Sequence, residues 1–219
     1  METQAKINLA ELLKDSVASV GIFKPKFNPQ AGKVFSDELQ VIGTGFWISG
    51  SDTKTLITCA HVVDEVAKES LDSKLLVIGY QHQYYRAMVC ALDYLHDLAI
   101  LKITDPIERK PSTLEITKVY PSVSAKVSWA GYPLGNFLLN EAHDSTYNEG
   151  VVGIQKRSEQ TRKVVQISGT VVGGYSGSPV IEQETGCLVG VVSNGPENTG
   201  IFMAISFEHV TALLGLNNS

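Results

Sequence analysis

Only three cysteines, Cys59, Cys90 and Cys187, occur in 219 residues. So odd and sparse a set does not make a disulfide framework, and it points to a reducing compartment. Cys59 and His61 stand too close for a usual zinc pair, and no second pair completes them, so no metal is expected. Basic charge is also short: 18 Lys and Arg stand against 23 Asp and Glu, a net charge of -5. That removes the basic footprint of a nucleic-acid binder. No apolar run approaches the roughly 18 residues that a membrane span needs. The first thirty residues lack a basic stretch followed by an apolar core and a cleavage site. Glu2 follows Met1, so the start offers no glycine for N-myristoylation. The expectation is a cytoplasmic protein with no nucleic-acid or membrane partner.

What is present is core-forming material. Hydrophobic residues make up 43% and charged residues 19%, a balance that supports a packed interior rather than disorder. In residues 1–16, and on to Val17, Leu9, Leu12, Leu13 and Val17 recur at helical spacing. They read as a short helix packed on the surface or as a partner-binding arm. From Val17 the pattern turns to short β-branched and aromatic runs: Val17–Lys24, Val41–Ser49, Thr55–Val63, Leu75–Tyr80, Arg86–Leu92 and Leu98–Ile103. Residues 106–121 contain Pro106, Pro111 and Pro121 and read as a linker across the surface. A second set follows: Ala125–Ala130, Gly150–Gln155, Lys163–Ser168, Ser178–Glu182, Cys187–Ser193 and Ile201–Ile205. Within 206–219, Phe207–Leu216 reads as a closing helix with Val210, Leu213 and Leu214 inward. Strands do not alternate with long helices, which excludes a parallel α/β sheet. The fold class expected is all-β, with two antiparallel six-stranded β-barrels over 17–105 and 122–205.

One octapeptide, Gly173 to Val180 (GGYSGSPV), places a serine between glycines. It does not fit the nucleophile elbow of α/β hydrolases. Ser178 stands where that motif has its last glycine, and Pro179 opens a strand instead of a helix. A serine hydroxyl needs a base, and the base needs a group that fixes its tautomer. Of five histidines, His61 ends a strand of β-formers beside the small residues Cys59 and Ala60. Taken alone it reads as a satisfied core histidine or as a base. Asp97, directly before the apolar run LAILKI, reads as a strand-start residue or as a carboxylate held at a barrel rim.

Five stretches occur in one order: GTGFWIS with LITCAHVVD, then DLAILKI, GYPLG, GGYSGSPV and GVVSNG. In that order the chain resembles the trypsin-like serine peptidases of chymotrypsin fold, and among them the bacterial-type HtrA/Deg-like branch. The resemblance covers roughly Val17 to Leu214. It implies His61 as general base, Asp97 as its orienting partner and Ser176 as nucleophile, with the backbone N–H groups of Gly174 and Ser176 as oxyanion hole. Gly177 lets the chain pass close behind the serine. Thr170 falls at the base of the implied specificity pocket. Ser193, Asn194 and Gly195 fall on the strand that pairs with substrate, and Gly200 to Met203 fall on the far wall. A protein or peptide is the implied substrate and no cofactor is implied, with room for a regulatory partner or a homo-oligomer.

Departures from the family pattern carry information. Tyr175 stands where digestive members have an aspartate that pairs with a newly cut amino terminus, so that activation switch is not expected. Val62 replaces the cysteine that usually follows the histidine. Fourteen residues after Ile205 are too few for a PDZ domain. Leu134–Gly150, with Phe137 and Leu138, reads as a surface loop or as a loop that orders the oxyanion hole. The function expected is a serine endopeptidase, regulated within stress response, quality control or defence. The alternative is a catalytically silent or latent binding protein on the same fold.

Overall fold

The structure is a computed structural model. It describes residues 8–28, 33–68, 75–135, 144–159, 162–195 and 199–215, apart from the side chains of 24–28, 33–38, 65, 68 and 155–159. Among the described residues no helix is long and apolar enough to cross a membrane.

The chain opens with α1 (Leu9–Ser16), capped by Asn8, whose side chain accepts the Glu11 N–H. Leu13 buries completely on this helix. The first closed barrel contains β1 (Val17–Asn28), β2 (Lys33–Phe46), β3 (Thr55–Thr58), β4 (Leu75–Tyr80), β5 (Gln83–Asp93) and β6 (Leu98–Ile103). Its strands run in the order β1-β2-β3-β6-β5-β4. The second contains β7 (Lys126–Gly131), β8 (Thr146–Glu159), β9 (Arg162–Ser168), β10 (Pro179–Glu182), β11 (Leu188–Asn194) and β12 (Ile201–Ser206), ordered β10-β11-β12-β9-β8-β7. Every strand pair within the barrels is antiparallel. Register shifts between Val20 and Gly21 and between Val89 and Ala91 give the long strands the bends that closure needs.

Each barrel closes around its own aromatic centre. Trp47 and Phe46 are fully buried in the first, and Trp129 and Phe202 meet edge to face at 5.0 Å in the second. Burying one such side chain contributes roughly 1.5–3 kcal/mol. The stretch between the barrels is fastened to both. Ile48 bridges Leu114 and Ile116 bridges Leu188, and Leu114 is completely buried. The proline-marked segment therefore does more than cross a surface.

Two differences from the sequence pattern bear on the site. The run Thr55–Val63 is a strand only to Thr58, and Ala60–Lys68 forms helix α2. Val62, Val63 and Val66 give one apolar face at helical spacing, and in a short window such a face looks like a strand. The segment 134–150 is a loop for only part of its length, because β8 begins at Thr146; Phe137 and Leu138 lie outside the described residues. A last helix, α3 (Phe207–Leu213), is capped by Ser206 and buries Val210.

Candidate active site

His61 is the second residue of α2, placed by the end of β3 through the buried Cys59. Its backbone N–H donates to Asp97 Oδ1 at 3.0 Å, and its ring Nδ1 lies 2.9 Å from both Asp97 oxygens. The Ala60 N–H donates to the Asp97 carbonyl at 3.2 Å. The turn before β6 is thus laced to the start of α2. Asp97 adopts φ +59, a left-handed conformation that Asp tolerates better than most residues. That backbone lets one residue offer both its carbonyl and its carboxylate to the helix start.

The second barrel reaches the same carboxylate. Ser193 Oγ, on β11, donates to Asp97 Oδ2 at 2.7 Å. Arg162, at the start of β9, brings Nη1 to 3.9 Å from Oδ2 and donates to Ser193 Oγ at 3.5 Å. Burial pushes the Asp97 carboxyl up, but the hydrogen bonds from His61 and Ser193 outweigh it and hold the group below the usual carboxylate range. An ionised Asp97 accepts from Nδ1–H, which leaves the Nε2 lone pair for the cleft. The His61 side chain is 48% exposed and Asp97 only 16%, so the candidate base meets solvent far more than its partner does.

Ser176 sits in the turn that precedes β10. Its hydroxyl donates to the Ser193 carbonyl at 3.3 Å. Among the described residues no hydrogen bond joins it to His61. The turn is fixed from several sides. The Thr44 N–H donates to the Ser176 carbonyl at 2.9 Å, and the Gly177 N–H donates to the Val192 carbonyl at 2.8 Å. Thr44 Oγ1 donates to the Gly174 carbonyl at 2.9 Å and accepts the Tyr132 N–H at 3.1 Å. Gly174 and Gly177 take φ +94 and +86. A Cβ at Gly174 would lie 2.1 Å from the Tyr132 carbonyl, and one at Gly177 would lie 2.1 Å from that of Thr44. Only glycine satisfies both conditions.

The peptide joining Gly173 to Gly174 is oriented by the GYPLG stretch. The Leu134 N–H donates to the Gly173 carbonyl at 2.6 Å. In a trans peptide the N–H points opposite to the C=O, so the Gly174 N–H turns away from Leu134. Among the described residues neither this N–H nor that of Ser176 has a protein acceptor. Tyr175 is 3% exposed, and its hydroxyl accepts from Asn148 on β8. Burial raises the Tyr175 pKa, and a neutral phenol is what such a buried anchor requires.

A cavity of about 630 Å³ opens between the residues that lead into the serine turn and the end of β11. Gly169 to Gly173 form one side, Asn194 and Gly195 another, and Gly200 to Phe202 the third. The expected Thr170, Asn194, Gly195 and Gly200 are there. Ser193 does not line the cavity; its side chain bonds Asp97 while its backbone stays on β11, and Met203 lies outside the lining, paired with Asn194 and Gln166 in the sheet. No lining residue is charged. Ile201 and Phe202 of the expected far wall are there too, and Val171 and Val172 supply apolar surface that the sequence did not single out. Thr44 and Arg162 were also missed. Thr44 had a signal, a hydroxyl inside the apolar GTGF stretch; Arg162 had none.

Cys59, His61 and Asp97 hold three metal-capable atoms within 4.8 Å of one another. Their chemistry does not suit a metal. Cys59 Sγ donates to the Val192 carbonyl at 3.2 Å, and burial, with Asp97 nearby, pushes its pKa well up. The thiolate that a metal needs is therefore disfavoured.

A trypsin-like peptidase domain matches residues 43–191. The crystal structure of the Rv3671c protease from M. tuberculosis, active form, superposes with a TM-score of 0.66 at 22% identity. The match covers 95% of this chain and 83% of that one, a likeness of fold. No curated protein matches.

The glycine geometry gives a test. Gly174→Ala is expected to destabilise the protein by about 2 kcal/mol or more, because the left-handed backbone and the Tyr132 carbonyl both oppose a methyl group. Gly173→Ala meets nothing within 4 Å and should cost less than about 1 kcal/mol. Urea unfolding of the two variants measures the difference; equal losses would contradict it.

Proposed function

Because the chain belongs to the trypsin-like peptidase domain family, we propose that it is a serine endopeptidase with Ser176 as nucleophile, His61 as base and Asp97 as the group that orients it. The observation that carries this reading is the Asp97 carboxylate, bonded to His61 from one barrel and to Ser193 from the other. The serine lies against that same Ser193.

The chemistry follows from the groups. Ser176 Oγ turns from the Ser193 carbonyl toward His61 Nε2, a rotation between staggered side-chain positions. It attacks the substrate carbonyl while Nε2 takes its proton. The new oxyanion receives the N–H groups of Gly174 and Ser176. His61 then gives the proton to the leaving amine, and the acyl-enzyme forms. Water, deprotonated by the same nitrogen, releases the acid and restores the hydroxyl. Ionised Asp97 stabilises the imidazolium in both halves.

The uncharged walls of the cavity favour a small or medium apolar side chain before the cut bond, and the chain at Asn194 and Gly195 offers backbone for strand-like pairing with substrate. The expected role in stress response, quality control or defence, and a cytoplasmic setting, rest on the family resemblance and on the sparse cysteines alone.

One observation favours a second reading. The Ser176 hydroxyl is bonded to the Ser193 carbonyl instead of to the base, which fits a latent enzyme. A fluorophosphonate probe separates the two: the wild type should label, and Ser176→Ala should not. Labelling that survives the substitution would overturn the assignment, while an unlabelled wild type would favour the latent or silent protein. Cleavage-site profiling on a peptide library should show apolar residues before the cut; dominant cleavage after Lys or Arg would contradict the pocket reading.

A further inference from the structure

Arg162 has no part in the chemistry derived above, yet it lies at the centre of the site. Its side chain is only 16% exposed, as is that of Asp97, and Nη1 stands 3.9 Å from Asp97 Oδ2. It also donates to Ser193 Oγ, which in turn donates to Asp97. We propose that Arg162 is a positioning residue for the candidate base: its fixed charge draws on the same Asp97 oxygen that His61 uses and so weakens that carboxylate's hold on a protonated imidazole.

The physical basis is competition for one carboxylate. Asp97 Oδ2 faces His61, Ser193 and Arg162 together. A guanidinium is charged at all accessible pH. By way of Oδ2 it lies within about 7 Å of His61 Nδ1, where two like charges repel appreciably even when partly screened. The reach of this charge is visible on Cys59, whose thiol is raised by burial and by Asp97 but lowered by Arg162. A purely structural ion pair would be the simpler account if Arg162 met Asp97 alone at the surface, but it also bonds Ser193, which shares the Asp97 oxygen that faces His61.

Other charged and titratable groups flank the cluster. Asp64 follows three residues after His61 on α2. Behind Asp97, His96 binds Asp93 at 2.6 Å and stacks on His209 of α3 at 3.9 Å. Burial, with His96 and Lys163 nearby, lowers His209 to about 4, so it stays neutral above that pH. Lys163, the neighbour of Arg162, is paired with Glu208 at 2.6 Å. Arg162 is the cation that contacts Asp97 itself.

The inference rests on the proposed role of His61 but is tested without turnover. In Ser176→Ala protein, the imidazole titration of His61 is followed by NMR, its signals assigned with a His61→Gln variant. Arg162→Met should raise the midpoint by about one pH unit, while Arg162→Lys, which keeps the charge, should leave it within about 0.3 of a unit. If Met at this position does not fold, Arg162→Gln carries the same expectation as Met. In turnover-competent protein the acid limb of kcat/KM should rise by the same interval, about tenfold less activity on that limb. A midpoint that stays or falls on loss of the charge would overturn the proposal, as would Lys shifting it as far as Met. Failure of the probe labelling would instead strike the peptidase reading and leave this titration standing.

Discussion

A single, largely buried carboxylate joins the two barrels at the cleft. Asp97 takes the ring and the backbone N–H of His61 from the first barrel and the hydroxyl of Ser193 from the second. Each bond to a charged acceptor contributes on the order of 1.5–3 kcal/mol, and losing one partner would leave a buried charge under-satisfied. The requirement to satisfy Asp97 therefore fixes how α2, the turn before β6 and the strand β11 meet. The placement of the candidate base and the packing of the barrels are here the same constraint.

The serine turn depends on a parallel device. In the digestive relatives an aspartate beside the nucleophile marks the active loop, and here Tyr175 occupies that position. Its ring enters the second core and its hydroxyl binds Asn148, so burial of an aromatic replaces an ion pair. Thr44 adds a hydroxyl that bonds Tyr132 and Gly174 together, and Leu134 holds the Gly173 carbonyl outward. These contacts leave the two amides of Gly174 and Ser176 aimed away from protein acceptors. In this account the loop needs no cleaved terminus to take that shape.

Much of this was readable in the chain. The twelve short β runs announced two barrels because period-2 patterns are local, and the order of GTGF, TCAH, DLAI and GGYSGSPV singled out His61 and Asp97, which bond each other, and Ser176, whose hydroxyl meets Ser193. The glycines at 174 and 177 were legible for the same local reason, since their backbone angles exclude a Cβ. What was hidden depends on tertiary contact. Helix α2 was merged into β3, because Val62 and Val63 look alike in either periodicity. Ser193 was expected on the substrate-pairing strand, and its turn toward Asp97 follows from closure of the second barrel. Arg162 lies far from Asp97 in sequence, and no pattern announces that an arginine opening a strand will face another barrel's carboxylate.

The central claim is that the Asp97 carboxylate makes His61 a base for Ser176. It is tested most directly by the second-order rate constant for fluorophosphonate reaction at Ser176 in Asp97→Asn, compared with wild type on folded protein. An amide in that position can offer Nδ1 a donor and favour the wrong tautomer. The account predicts a fall of about 10³–10⁴, whereas a rate within about tenfold of wild type would contradict it.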